Sequence, residues 1–269
     1  MHKRQLITIL GVIALAALVS LGCSFSSIGI QTVKVGELQR TETTIEQGNA
    51  DEVRVTVKMG AGELKIDNGA DDLMEAEFTY NIDEWEPTVT YDVSDGSGRL
   101  IVRQPNSDRL PATTDLRYEW DLRFADDVPL DMRIECGAGS QDIDLAGLMV
   151  TDLDIKLGAG QAEINLGDNP QLTRADIDIG AGDTEISLNG DWDHDAEIDI
   201  QGGVGRISVR LPKDVGVRVE VTRGIGDTDA SGLYRDNGAW VNEAYGDTDV
   251  TLEVTVQAGV GQIDLEVRD

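Results

Sequence analysis

The chain has 269 residues, of which 51 are acidic and 22 basic, and its formal net charge at pH 7 is −29. A charge of this sign and size repels nucleic acid phosphates and anionic lipid surfaces, which excludes both as partners of the folded part. The length is sufficient for one large β domain or two smaller ones.

Residues 1–22 have the pattern of a targeting segment, with a basic start followed by an uncharged, mainly apolar run from Leu6 to Gly22. The run ends at Cys23 and resembles a bacterial lipoprotein signal, which implies that Cys23 is lipidated as the first residue of the mature chain. An uncleaved membrane anchor and ordinary secretion are the alternatives. All three place the remaining chain outside the cytoplasm. Residues 23–45 are rich in Ser, Thr and Gly and are predicted to form a flexible tether.

Two β regions are predicted after the tether: an N-terminal region at residues 46–130 and a C-terminal stack of repeats at residues 131–269. Apolar and polar residues alternate through both, as at Val53, Val55 and Val57. This period of two is typical of a half-buried strand.

A Gly-Xaa-Gly phrase with Ala, Val or Ile in the middle occurs seven times and recurs at intervals of about 21 residues from Gly137 to Gly224. A fixed period of this length is typical of stacked-repeat proteins. The predicted structural glycines are Gly60 and Gly62, Gly137 and Gly139, Gly158 and Gly160, Gly180 and Gly182, Gly203 and Gly205, Gly224 and Gly226, and Gly259 and Gly261.

The phase of the apolar residues changes across each phrase. Ile134 and Cys136 precede the second phrase, whereas Ile143 and Leu145 follow it, so the inward positions shift from even to odd numbers. This shift would turn the second strand inside out unless the backbone bends or bulges. Glycine accepts such a corner because it lacks Cβ and tolerates positive φ. Each repeat is therefore predicted to contain a strand, a glycine corner, a second strand and a polar turn.

The spacing of the phrases widens between Gly224 and Gly259, where the segment Tyr234–Trp240 is predicted to be an insertion near the end of the stack. Insertions in stacked-repeat proteins lie on one face and often carry the binding site. The last predicted strand, Ile263 to Val267, is followed by charged residues, which favours an exposed sheet edge.

Two stretches, 42–46 and 58–66, resemble the start of a toast-rack domain, and the later Gly-Ala-Gly repeats resemble those of toast-rack, putative-adhesin and LiaF-like envelope proteins. The resemblance covers most of the chain after the tether. It implies an all-β, toast-rack-like or solenoid stack of Gly-Xaa-Gly repeats outside the cytoplasmic membrane. An antiparallel meander would have the same period and stays open. Adhesion and envelope-stress sensing are the functions that the resemblance implies, and it implies no catalytic residues.

Motifs for metal binding and catalysis are weak. The calcium-binding nonapeptide requires Asp where the segment Gly202–Ile207 ends in Ile207, and its period differs from the one found here. Zinc and histidine-based catalysis are disfavoured because His194 is the only histidine after His2 and Cys136 lies on the inward phase. We expect no metal, no cofactor and no enzyme activity.

The sequence therefore predicts a non-enzymatic, extracytoplasmic module anchored to the bacterial cell membrane by an N-terminal lipid or helix. Its expected partner is another envelope protein or a cell-wall component. Two other functions stay open: a carbohydrate-active enzyme on a β-helix scaffold, and a purely structural envelope spacer. Only 4% of the residues are aromatic, which is few for a sugar-binding cleft.

Overall fold

The computed structural model of the protein describes residues 32–33, 35–106, 110–111 and 115–268. Within these residues the fold consists of β-strands and a single 3-10 turn at Asp83–Trp85. The strands are β1 (Thr32–Val33), β2 (Gln39–Ile45), β3 (Glu52–Asn68), β4 (Met74–Tyr80), β5 (Thr88–Ser94), β6 (Ser97–Arg103), β7 (Leu110–Pro111), β8 (Tyr118–Phe124), β9 (Leu130–Asp144), β10 (Val150–Asn165), β11 (Arg174–Ser187), β12 (Ala196–Pro212), β13 (Gly216–Ser231), β14 (Tyr234–Asp236), β15 (Ala239–Val241) and β16 (Thr251–Arg268).

Seven long strands carry the seven glycine phrases. They pair in parallel in the spatial order β3-β9-β10-β11-β12-β16-β13. The predicted all-β repeat stack is therefore confirmed, and the repeats do not form an antiparallel meander. We call each of these strands, with the turn that follows it, a coil.

The glycine phrase divides each long strand into a first arm and a second arm. In β9, Ile134 and Cys136 of the first arm are buried, and so is Ile143 of the second arm. Side chains from both arms belong to one apolar core. The inward face thus changes at the phrase as predicted, because the strand bends there and both arms face the same interior.

The stack divides into two branches at its N-terminal end. The first arm of β3 pairs with β6, which pairs with β5, whereas the second arm of β3 pairs with β8, then β4, then β2. Ala61 of β3 is in register with Ala138 of β9. The predicted boundary between the two β regions, at residues 130 and 131, lies in β9. Because β9 pairs with β3 and their glycine corners are aligned, both regions belong to one sheet.

The predicted tether differs from the structure at its C-terminal end. Gln39–Ile45 forms β2, which pairs in antiparallel register with β4. An edge strand has one solvated side and needs few apolar residues, so the Thr-rich and Glu-rich sequence gave little indication of it. The predicted anchor at residues 1–22 and the lipidation residue Cys23 lie outside the described residues. In the described part of the chain, no helix has the length and apolar character needed to cross a membrane.

The expectation that the last strand forms an edge is wrong. β16 lies between β12 and β13, with Val260 in register with both Val204 and Ile225. Its Ile263 and Leu265 are buried. Both arms of β16 carry alternating apolar residues, so an interior position buries more apolar surface than an edge would. The second arm of β13 and the hairpin β14–β15 end the stack instead.

Candidate binding surface

The seven glycine phrases lie side by side and form one corner that runs along the stack. The second glycine of each phrase has φ between 133° and 152°, a region that L side chains rarely adopt. A Cβ on Gly182 would lie 1.8 Å from the carbonyl oxygen of Gly160 in the next coil, and a Cβ on Gly180 would lie 2.2 Å from that of Gly158. Both positions therefore exclude side chains at the spacing that the backbone ladder requires.

The middle residue of each phrase points outward, which gives the corner a ridge of small side chains. In spatial order the ridge consists of Ala61, Ala138, Ala159, Ala181, Val204, Val260 and Ile225. The last three are exposed at 58%, 45% and 73% of their surface. We call Val204, Val260 and Ile225 the apolar tip. Large exposed apolar side chains that lie side by side are typical of interaction sites.

The apolar tip lies far from the N-terminal strands. Counting both end strands, ten strands lie side by side from β2 to β13 along the second arms. At about 4.8 Å between neighbouring strands, this distance is roughly 40 Å. Because β2 is the strand at the other end of this order, the tip lies at the opposite end of the sheet from β2. We call this end, formed by β12, β16 and β13, the distal end.

A hairpin covers part of the distal end. The predicted insertion Tyr234–Trp240 forms β14 and the start of β15, and β15 pairs with β13 only at Arg218 and Val219. The guanidinium carbon of Arg235 lies 4.0 Å from the ring centroid of Trp240, a distance typical of a cation–π contact. The hairpin therefore closes the first-arm side of the last coil and leaves its second arm uncovered.

Asn242 fastens the hairpin to the stack. Its buried amide Nδ2 donates hydrogen bonds to the carbonyl oxygens of Pro212 and Val215, and its Oδ1 accepts one from the Val217 amide. Three bonds to a buried amide hold the chain where it returns from the insertion. The hairpin at the distal end is therefore held to the stack by buried hydrogen bonds.

The outer faces of the first arms carry paired charges. Lys58 contacts Glu135 at 3.0 Å, and Lys156 contacts Asp178 at 2.9 Å, in each case across neighbouring strands. Hydrogen bonds from Arg133 and Lys58 hold the pKa of Glu135 below its usual value. Such exposed pairs are screened by water and contribute little to stability, so these faces mainly present charge to the solvent.

The residues weighed for catalysis are held in structural contacts. The ring of His194 lies between the Asp193 carboxylate, 2.7 Å from Nδ1, and the Leu172 carbonyl oxygen, 2.9 Å from Nε2. Burial raises the pKa of Cys136 to about 12, so its thiol is not nucleophilic at neutral pH. Ile207, at the position where the calcium motif needs Asp, is buried. No group of three metal-ligating side chains occurs among the residues described.

Sequence reasoning missed the apolar tip. The signal was present, because the middle residue changes from Ala to Val or Ile in the last three phrases. Their position side by side depends on the strand order, which the sequence pattern alone does not predict.

The family model described as the N-terminal domain of toast_rack, DUF2154, matches residues 34–171 and 168–210. Together the matches cover more than half of the chain and include five of the seven phrases. No curated protein matches the chain.

Solved structures similar to this chain include a putative cell adhesion protein from Clostridium sporogenes, with 24% identity and a TM-score of 0.65. That alignment covers 86% of this chain and 100% of the other. A putative adhesin from Bacteroides fragilis has 11% identity, a TM-score of 0.36, and coverage of 88% and 100% respectively. The similarity to the first structure supports the fold, whereas the TM-score of the second is too low to support any inference.

Proposed function

The chain belongs to the toast-rack family, and from that premise we propose that it is a non-enzymatic binding module of the bacterial cell envelope. An N-terminal lipid or helix holds it at the membrane, and its distal end contacts another envelope protein or a cell-wall component. The observation that carries this proposal is the apolar tip, exposed at the end of the stack remote from the N-terminal strands.

The geometry supports presentation at a distance. A stack of parallel coils is rigid along its axis because every coil pairs with its neighbours through a backbone ladder. Strand β2 lies at one end of the sheet, and the tip lies roughly 40 Å away at the other. A partner bound there would stand clear of the membrane surface. Adhesion and sensing of envelope stress would both use this arrangement.

The non-enzymatic role is supported by the state of the reactive side chains. His194 has both ring nitrogens in hydrogen bonds, and Cys136 is buried. Many carboxylates of the first-arm faces are already paired with Lys or Arg. Glycosidases need a carboxyl pair at a defined separation with one pKa raised. Glu135, for example, accepts hydrogen bonds from Arg133 and Lys58 that lower its pKa, which is the opposite of what a proton donor needs.

The test compares capture of envelope material by the full chain and by variants of the ridge. Val204→Ala, Val260→Ala and Ile225→Ala are combined, which gives the distal coils the residue that four other coils already have. The matched control combines Ala138→Ser and Ala159→Ser on the same ridge. We expect the tip variant to lose capture of a cell-wall or envelope-protein ligand by roughly ten-fold, and the control to retain it.

Three results would contradict the proposal. Equal capture by the parent and the tip variant would place binding elsewhere. Absence of capture by either would favour a purely structural spacer. Release of soluble sugars from cell-wall polysaccharide, abolished by one Asp→Asn change, would favour the carbohydrate-active enzyme.

A further inference from the structure

The last coil has an open backbone edge. The second arm of β13, Gly226–Ser231, pairs with β16 on one side. On its other side no strand pairs with it within the described ranges, because β15 reaches only Arg218 and Val219. We call Gly226–Ser231 the open edge. Its outward amide and carbonyl groups are available to an added strand.

The side of the open edge that faces the core carries small and polar residues. Thr228 and Ala230 occupy the inward positions where β16 has Ile263 and Leu265. The Thr228 hydroxyl accepts a hydrogen bond of 3.1 Å from Nη1 of Arg223. Because Thr228 and Ala230 are only half-buried and not large, the edge attracts a strand mainly through its backbone and its charges, with little hydrophobic surface.

The outward side of the open edge is acidic. Asp227 and Asp229 are exposed, and Asp229 is in register with Asp264 on β16. Gln262 lies between them, with Nε2 at 3.3 Å from Asp229 and 2.6 Å from Asp264. In the described part of the chain no basic side chain forms an ion pair with Asp227 or Asp229, unlike the cross-strand pairs of the first arms.

We propose that the open edge binds an extended segment of a partner protein that carries Lys or Arg at alternate positions. The segment adds as a further strand beside β13 and places its basic side chains against Asp227 and Asp229. This inference rests on the proposed function and names the partner chemistry at the distal end. Opposite charges directly across neighbouring strands are stabilising, so an added basic strand repeats the pairing seen along the first arms.

The same charges disfavour a second copy of the chain as the occupant. A copy pairing through its own open edge would bring another Asp227 and Asp229 beside the first two. Like charges directly opposite each other are destabilising. Ile225 immediately precedes the open edge at the corner and is 73% exposed, so an apolar residue at one end of the added strand would bury it.

The experiment measures binding of synthetic peptides to the full chain, and hydrogen–deuterium exchange shows where on the chain each peptide binds. The probe alternates lysine and valine over the length of the open edge. One control peptide alternates lysine and proline, which keeps the charge and cannot form the ladder. The other alternates glutamate and valine. We expect the lysine–valine peptide to bind and to slow exchange at the amides of the open edge, while both controls bind at least roughly five-fold more weakly.

A variant tests the charges separately. Asp227→Asn with Asp229→Asn should weaken the lysine–valine peptide roughly five-fold at low salt and leave the urea midpoint of the protein unchanged, because both side chains are exposed. Equal binding of the lysine–proline peptide, or protection elsewhere on the chain, would overturn strand addition. Protection of the open edge that rises with protein concentration in the absence of peptide would identify a second copy as the occupant. If the protein captures envelope material through the apolar tip but does not bind the lysine–valine peptide, the proposed function is supported and this inference is wrong.

Discussion

Replacement of Gly182 by alanine tests the glycine corner with a single methyl group. The new Cβ would lie 1.8 Å from the Gly160 carbonyl oxygen, and the residue would keep a φ of 138° that alanine resists. Backbone strain of this kind costs about 1–3 kcal/mol, and overpacking costs about 1–3 kcal/mol. The loss of unfolding free energy should therefore be roughly 2–6 kcal/mol, a large part of an ordinary domain's stability.

Two matched variants separate the effect of the close contact from the effect of the backbone conformation. Gly180→Ala has the close contact, at 2.2 Å from the Gly158 carbonyl oxygen, without the left-handed φ, and should cost about 1–3 kcal/mol. Ala181→Ser lies on the exposed ridge and should change stability by less than about 0.5 kcal/mol. Urea unfolding followed by circular dichroism gives the midpoints, with a slope of about 3 kcal/mol per molar converting them to free energies. A midpoint for Gly182→Ala equal to that of the parent would refute the corner.

Two further predictions concern titrating groups. The hydrogen bond with Asp193 raises the pKa of His194 above its ordinary value of 6.5, so this contact adds stability that is complete below about pH 6.5 and is lost as the pH rises through the folded-state pKa. The urea midpoint of His194→Gln should therefore fall furthest below the parent's in mildly acidic buffer, and a deficit independent of pH would contradict this. In a Cys23→Ser background, Cys136, with its pKa raised to about 12 by burial, should react with a chromogenic disulfide reagent only after unfolding in urea, and labelling at the rate of a free thiol in native buffer would show that it is accessible.

The repeat itself could be predicted from local pattern. The alternation of apolar and polar residues predicts the two arms of each strand. The shift in phase between Cys136 and Ile143 predicts the corner, because the inward side chains of both arms must reach the same core. The glycines could be identified as structural for the same reason. Their close approach to the neighbouring coil adds a second cause that only the stacked structure reveals.

The order of the coils could not be predicted in the same way. Every coil presents a similar apolar pattern and the same glycine columns, so the backbone ladder accepts several orders. Insertion of β16 beside β12 depends on β16 having large apolar residues in both arms, whereas the second arm of β13 has Thr228 and Ala230. The exposure of Ile225 beside Val260 follows from that order.

Disulfide trapping at the apolar tip tests this strand order, on which both proposals depend. In a Cys23→Ser background, Val204→Cys with Val260→Cys places the two cysteines on neighbouring strands with their Cα atoms about 4.8 Å apart, within the Cα–Cα range of about 4.4–6.8 Å found for disulfides. Val204→Cys with Ile225→Cys places them two strands apart, at roughly 10 Å. We predict that mild oxidation of the folded protein links the first pair and leaves the second pair reduced. A link between residues 204 and 225 and none between 204 and 260 would mean that the coils stack in chain order, and would contradict the order β12-β16-β13.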